Sequence, residues 1–151
     1  MMHEYYMRIA LKEAEKSLLV DEVPVGAIIV KDGKIIARAH NLRETLKDAT
    51  AHAEILAINE ACRVLGGWRL IDCIMYVTLE PCPMCAGAIV NSRIKTLVFG
   101  ASDPKSGACG SIYNIVNDER LNHRVEVIGG VLRQECGDIL KNFFKNKRKR
   151  D

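Results

Sequence analysis

Long apolar runs are absent from this chain. No stretch of its 151 residues approaches the roughly 20 consecutive apolar residues of a membrane-spanning helix, so no membrane partner is expected. The opening residues Met1-Met2-His3-Glu4-Tyr5-Tyr6 carry neither a basic segment nor an apolar core of the secretory type, which predicts a cytoplasmic protein. Without a secretory signal, the six cysteines (Cys62, Cys73, Cys82, Cys85, Cys109 and Cys136) are expected to stay reduced or to bind metal rather than pair as disulfides. No internal repeat, low-complexity segment or linker breaks the chain, which predicts a single domain over residues 1–151. A second Cys-x-x-Cys is missing too, so a closed four-sulfur structural site is not indicated.

What is present suits a folded globular protein. Hydrophobic residues make up 48% and charged residues 27%. The net charge of +3 is unevenly placed. Lys141 to Asp151 hold six basic residues and one acidic one, +5, which leaves −2 on residues 1–140. A basic end on a mildly acidic body fits a phosphate-backbone partner, with Lys147, Arg148, Lys149 and Arg150 as the contacts. A solvated tail that aids solubility fits the charge alone about equally well.

Periodicity places the elements. Met7, Ala10, Leu11, Ala14 and Leu18 recur at helical spacing and predict a helix over 4–19. Strands are expected over 25–30 and 35–39, joined by a tight turn at Asp32-Gly33. Residues 41–49 read as a polar loop, and 51–65 as a helix ended by Gly66-Gly67. A strand over 74–79, a helix opened by Pro81 and a strand over 94–99 form a parallel unit. Then come a loop over 103–110, a short helix over 111–117, a strand over 125–128 and a basic C-terminal helix from 133. Strand and helix alternate after the hairpin, so a mixed α/β sheet covered by helices is expected.

The chemistry is concentrated in His52-Ala53-Glu54 and Pro81-Cys82-Pro83-Met84-Cys85. One imidazole and two thiols suit Zn²⁺, one per chain, and leave a fourth position for water, the pattern of a catalytic site. Cys82 and Cys85 share one face of a helix at i, i+3 spacing. Glu54, two residues from the first ligand, is placed to carry protons between water and a leaving group. A lone Cys-x-x-Cys is compatible with redox chemistry or half a structural site, and a lone His-x-Glu says little. Together, each opening a helix, they are specific. The other four cysteines read as small buried apolar residues. His3 is expected to be exposed. For His40 and His123 a hydrogen-bonded structural role is slightly preferred over binding.

His-x-Glu with Pro-Cys-x-x-Cys is the signature of zinc nucleobase deaminases. The chain resembles, over nearly its whole length, the bacterial tRNA-specific adenosine deaminases, the TadA type. The matching text is Val23-Pro24-Val25-Gly26, Thr50-Ala51-His52-Ala53-Glu54, Trp68-Arg69-Leu70, the run from Tyr76 to Ala88, Ser92-Arg93-Ile94, Phe99-Gly100-Ala101, Asn122-His123-Arg124-Val125, and Phe143-Phe144 before the basic tail. The last two segments favour tRNA over free bases. The resemblance implies a three-layer α-β-α, cytidine-deaminase-like fold with a five-stranded mixed sheet in order 2-1-3-4-5. It also implies a homodimer and conversion of adenosine to inosine at the wobble position of the tRNA anticodon stem-loop. By position it assigns Asn41 and the backbone N–H of Ala53 to the target base. Leu79, Asp103, Asn122 and Phe144 would shape the pocket or hold flanking nucleotides. Ala49 stands where the family often has Pro. Two alternatives stay open: a guanine or cytosine deaminase acting on free bases or nucleotides, and a non-enzymatic RNA-binding zinc module.

Overall fold

Asp32 and Gly33 adopt positive φ, 50° and 76°, and reverse the chain between β1 (Gly26–Lys31) and β2 (Lys34–His40). Such dihedrals match the strands' own twist, which is why this dipeptide closes hairpins. The computed structural model describes residues 2–150, with the Arg150 side chain outside the described residues. Strand β3 (Cys73–Leu79) pairs antiparallel with β1, β4 (Thr96–Ala101) parallel with β3, and β5 (Glu126–Gly129) parallel with β4. The sheet order is β2-β1-β3-β4-β5, as expected.

The period of two along each strand sorts side chains into two cores. Ile28, Val30, Tyr76 and Val98 face helix α1 (Met2–Leu18), where they meet Tyr6, Met7 and Ala10, and Cys136 of helix α5 (Arg133–Arg150). Ala27, Ile29, Met75, Val77, Leu97 and Phe99 face the other way. They pack on Ala57, Ile58 and Ala61 of α3 (Ala53–Leu65) and on Ile89 and Val90 of α4 (Pro83–Asn91). Three layers result. Each fully buried Ile, Leu or Met contributes about 1.5–3 kcal/mol. Gly26 lets α1 lie against the start of β1, since a Cβ there would overlap the Ala10 carbonyl.

Three local expectations are corrected. Residues 41–49 are not all loop, because Arg43–Leu46 form a single turn of helix, α2. Its N–H groups find a distant acceptor, Glu22, which no local pattern reveals. The helix expected over 111–117 shrinks to a 3₁₀ turn at Ile115–Asn117, because Cys109 bridges Asn114 and Gly110 N–H bonds Tyr113 O. Gly100 does not end β4. It stays in the strand and leaves room for Cys136 against it. Among the described residues, no helix is long and apolar enough to cross a membrane.

Candidate metal centre

Two helix starts, both on one face of the sheet, build the centre. His52 is the N-cap residue of α3 and Cys82 the N-cap residue of α4, and neither side chain caps its own helix. Both side chains are thereby free to point elsewhere. Pro83, rather than Pro81 as expected, takes the first helical position, where its missing N–H costs nothing. Cys85, one turn into α4, is fully buried. His52 Nδ1 lies 3.8 Å from Cys82 Sγ and 3.5 Å from Cys85 Sγ. The three donor atoms fall within 4.8 Å of one another, close enough to share one cation.

A cavity of about 230 Å³ opens beside this triad. Of the residues assigned by position, Asn41, Ala53, Leu79, Asp103 and Phe144 line it, together with His52, Glu54 and Cys82. Asn122 is exposed and lies outside this wall. Lys147, Arg148 and Lys149 are exposed on the last turns of α5, and the Arg150 side chain lies outside the described residues.

Burial and neighbours set the ionisation here. Burial raises the Glu54 carboxyl to about 7. A hydrogen bond from Cys85 holds Cys82 low, at about 4, against the opposing effect of burial and with further help from His52. The same bond pushes Cys85 up, and the contact with Cys82 raises His52.

The deaminase relatives fit this arrangement. The MafB19-like deaminase family matches residues 1–148. A tRNA-specific adenosine deaminase of Bacillus subtilis is 56% identical over 147 residues, 97% of this chain and 91% of that protein. The chain belongs to the tRNA-specific adenosine deaminases. A structure from a study of A-to-I editing by tRNA:A34 deaminases superposes on this deaminase with a TM-score of 0.87 at 46% identity, over 90% of this chain and 99% of the other. A guanine deaminase from Nitrosomonas europaea shares the fold more distantly, with a TM-score of 0.82 at 25% identity, over 93% and 83% of the two chains.

Asn41 of this deaminase is 7% exposed and doubly held. Its Nδ2 donates to Val23 O and its Oδ1 accepts from Arg43 N–H, both at 3.1 Å. An amide has two donors and two acceptor sites, so one of each remains for the cavity. Asp103 is turned into its own loop, with its carboxylate accepting from Lys105 N–H, Ser106 N–H and Ser106 Oγ. Phe144 is the exposed member of the aromatic pair and Phe143 the buried one.

Of the histidines outside the triad, His3 and His123 are held by hydrogen bonds. His123 Nε2 donates to Ile94 O at 2.7 Å. His3, expected to be exposed, is only half-buried and bonds Tyr76 Oη at 2.8 Å. His40 does not take the hydrogen-bonded role expected of it: it faces a separate groove between β2 and α3, and its buried Nδ1 lies 3.7 Å from Glu13 Oε1, beyond hydrogen-bond distance.

Sequence reasoning gave no role to Glu22 and Glu80. Both are almost fully buried, at 1% and 2% exposure. Each binds N–H groups of a loop beside the cavity. The available signal was a lone acid flanking an apolar strand, Glu80 closing β3 and Glu22 shortly before β1.

Proposed function

We propose that this deaminase converts adenosine to inosine at the wobble position of the tRNA anticodon, with one Zn²⁺ held by His52, Cys82 and Cys85. The carrying observation is the spacing of the three donors beside a cavity lined by Glu54. Tetrahedral zinc, with bonds of roughly 2.3 Å to sulfur and about 2.1 Å to nitrogen, sets nitrogen and sulfur about 3.6 Å apart. The observed 3.5 and 3.8 Å straddle that distance. Bound zinc would supply Lewis acidity, lowering the pKa of a coordinated water toward about 7.

The chain's own groups do the rest. Glu54 takes a proton from the attacking water and delivers it to adenine N1 as the new C–O bond forms at C6. It then passes the second water proton to the departing amine, and ammonia leaves as the C6 carbonyl forms. A carboxyl near 7 can accept and return protons at neutral pH. The spare donor and acceptor of Asn41 suit N7 and the exocyclic amine on the purine edge. Ala53 opens α3, so its N–H is a first-turn group without an intrahelical acceptor and can meet the base.

A cavity of about 230 Å³ is smaller than the roughly 300–1,000 Å³ of ordinary ligand pockets. It suits one base turned out of a single-stranded loop, with ribose and phosphates outside. Phe144 at the rim can stack on that base or its neighbour. Asn122, outside the cavity, is assigned to flanking nucleotides. The basic end of α5 is assigned to backbone phosphates. The proposal includes a cytoplasmic homodimer, supported by exposed Val64, Leu65, Trp68 and Ile71 at and beyond the end of α3.

The test is incubation of the zinc-loaded protein with total tRNA, followed by sequencing. A-to-I change confined to wobble adenosines supports the proposal. Ammonia release from guanine or cytosine without RNA, and no change in tRNA, overturns it in favour of a free-base deaminase. Zinc-dependent tRNA binding without deamination overturns it in favour of a binding module.

A further inference from the structure

The loop from Asp103 to Ser111 has little apolar material of its own, and Pro104, Lys105 and Ser106 are exposed. Burial holds only its middle, where Ala108 and Cys109 enter the core, so something else must set the shape of the exposed part. Its centre is the carboxylate of Glu80. Oε1 accepts from Asp103 N–H at 3.0 Å and from Ser111 Oγ, and Oε2 accepts from the N–H groups of Cys109 and Ser111, both at 3.0 Å. Gly107 closes so tightly on this group that a Cβ there would overlap the Glu80 carboxyl carbon. Ala108 N–H adds a bond to Pro81 O at 2.9 Å.

A carboxylate offers about four acceptor sites. Here four donors fill them, so Glu80 has none left for a substrate or a cation. Its effect must pass through the loop. Asp103 and Ser106 of that loop line the cavity beside Glu80 itself, and Glu80 precedes the ligand Cys82 by two residues in the chain. The carboxylate thus ties one wall of the cavity to the strand end that carries the metal ligands.

We propose that Glu80 is a positioning residue for deamination, which sets the Asp103–Ser106 wall at a fixed distance from the metal centre. The consequence rests on the deaminase reading, but the loop geometry does not. Misplacing a wall by about 1 Å can cost roughly 100-fold in rate, even far from the bond being broken. Glu80→Gln keeps the shape of the side chain but turns an N–H₂ toward N–H donors. It is expected to retain one zinc per chain while kcat/KM on an anticodon stem-loop falls about 100-fold.

A general loss of stability would multiply with other defects, whereas positioning through the Asp103 wall would not. The double variant Glu80→Gln/Asp103→Ala is therefore expected within about threefold of the worse single variant, as for residues that act as a unit. Should Glu80→Gln fail to fold, Ser111→Ala removes one donor from an exposed position and is read in the same cycle with Asp103→Ala. It is expected to lower kcat/KM at unchanged melting temperature, again without multiplying. Amide hydrogen exchange of Cys109 and Ser111 supplies a readout without activity, and both should lose protection in the Glu80 variant, or in Ser111→Ala if that is the variant read. Multiplicative effects, zinc loss, unchanged kcat/KM or unchanged exchange each overturn the proposal. If the wild-type protein leaves tRNA unchanged, the deaminase reading fails, and exchange alone decides whether Glu80 holds the loop.

Discussion

Replacing Glu22 by Gln should destabilise the protein, and by an amount that depends on pH. Glu22 is 1% exposed. Its Oε1 accepts from Glu44 N–H at 3.1 Å and its Oε2 from Thr45 N–H, the first-turn donors of α2. Hydrogen bonds to a charged group contribute roughly 1.5–3 kcal/mol each, and Gln keeps one acceptor without the charge. The expected loss is therefore about 2–4 kcal/mol at neutral pH. For a chain of this size that lowers Tm by roughly 5–15 °C. Burial opposes ionisation of Glu22, but the donors from Thr45 and Glu44 and the nearby Arg43 outweigh it and hold the carboxyl below its ordinary value. The sign follows. A depressed carboxyl stabilises the fold fully above the unfolded value of about 4.3, and that contribution fades as pH falls through the lower folded value. Melting curves of the zinc-loaded wild type and variant between pH 3 and 7 measure it. The Tm gap should be full at pH 6–7 and shrink below about pH 4. A gap that stays constant with pH, or that widens in acid, refutes the assignment of charge to these bonds.

Elemental analysis of Cys82→Ala should find no retained zinc, while Cys62→Ser, Cys73→Ser and Cys136→Ser keep one per chain. Zinc retained by Cys82→Ala counts against the three-ligand centre. Glu54→Ala should keep the fold, the metal and tRNA binding but lose at least about 10²–10⁴-fold in deamination, since a general acid–base contributes on that scale. Appreciable inosine formation by this variant removes Glu54 from the mechanism. Changing Lys147, Arg148, Lys149 and Arg150 to Gln should leave Tm and zinc unchanged and flatten the salt dependence of tRNA binding, by about 0.7 in log–log slope for each phosphate no longer neutralised. Unchanged low-salt affinity would place the RNA surface on the body of the protein.

Local pattern carried most of the fold, because the central strands are short, continuous apolar runs and Asp32-Gly33 marks its turn without help from elsewhere. The triad was equally legible, since His52 and Cys82 each open a helix and their roles follow from residue type. The failures share a different cause. The helical turn at Arg43–Leu46 depends on Glu22, more than twenty residues away. The shape of the Asp103–Ser111 loop depends on Glu80, at similar or greater separation. Gly100 reads as a strand end but serves as space for Cys136. Even Asn41, assigned to the base by resemblance, shows two bonds to its own backbone surroundings that position, not composition, determines.

Three glutamates near the cavity show why residue type alone could not separate anchor from catalyst. Glu22, Glu54 and Glu80 are all under 5% exposed, so burial penalises the charge of each. For Glu22 and Glu80 that penalty is outweighed by loop N–H groups, joined at Glu80 by the Ser111 hydroxyl, and both stay ionised below the ordinary carboxyl range. Glu54 lacks a loop of donors, and burial prevails, lifting it to about 7. The first two, held below the ordinary carboxyl range, do not exchange protons near neutral pH, and Glu80 has no acceptor site to spare for substrate, so they hold loops. The third sits at the pH where a proton moves either way at small cost, and it faces the cavity. Environments that push like groups apart in this way assign their roles. Here the partners that do the pushing lie twenty-two to thirty-one residues from Glu22 and Glu80 along the chain, and only folding brings them together.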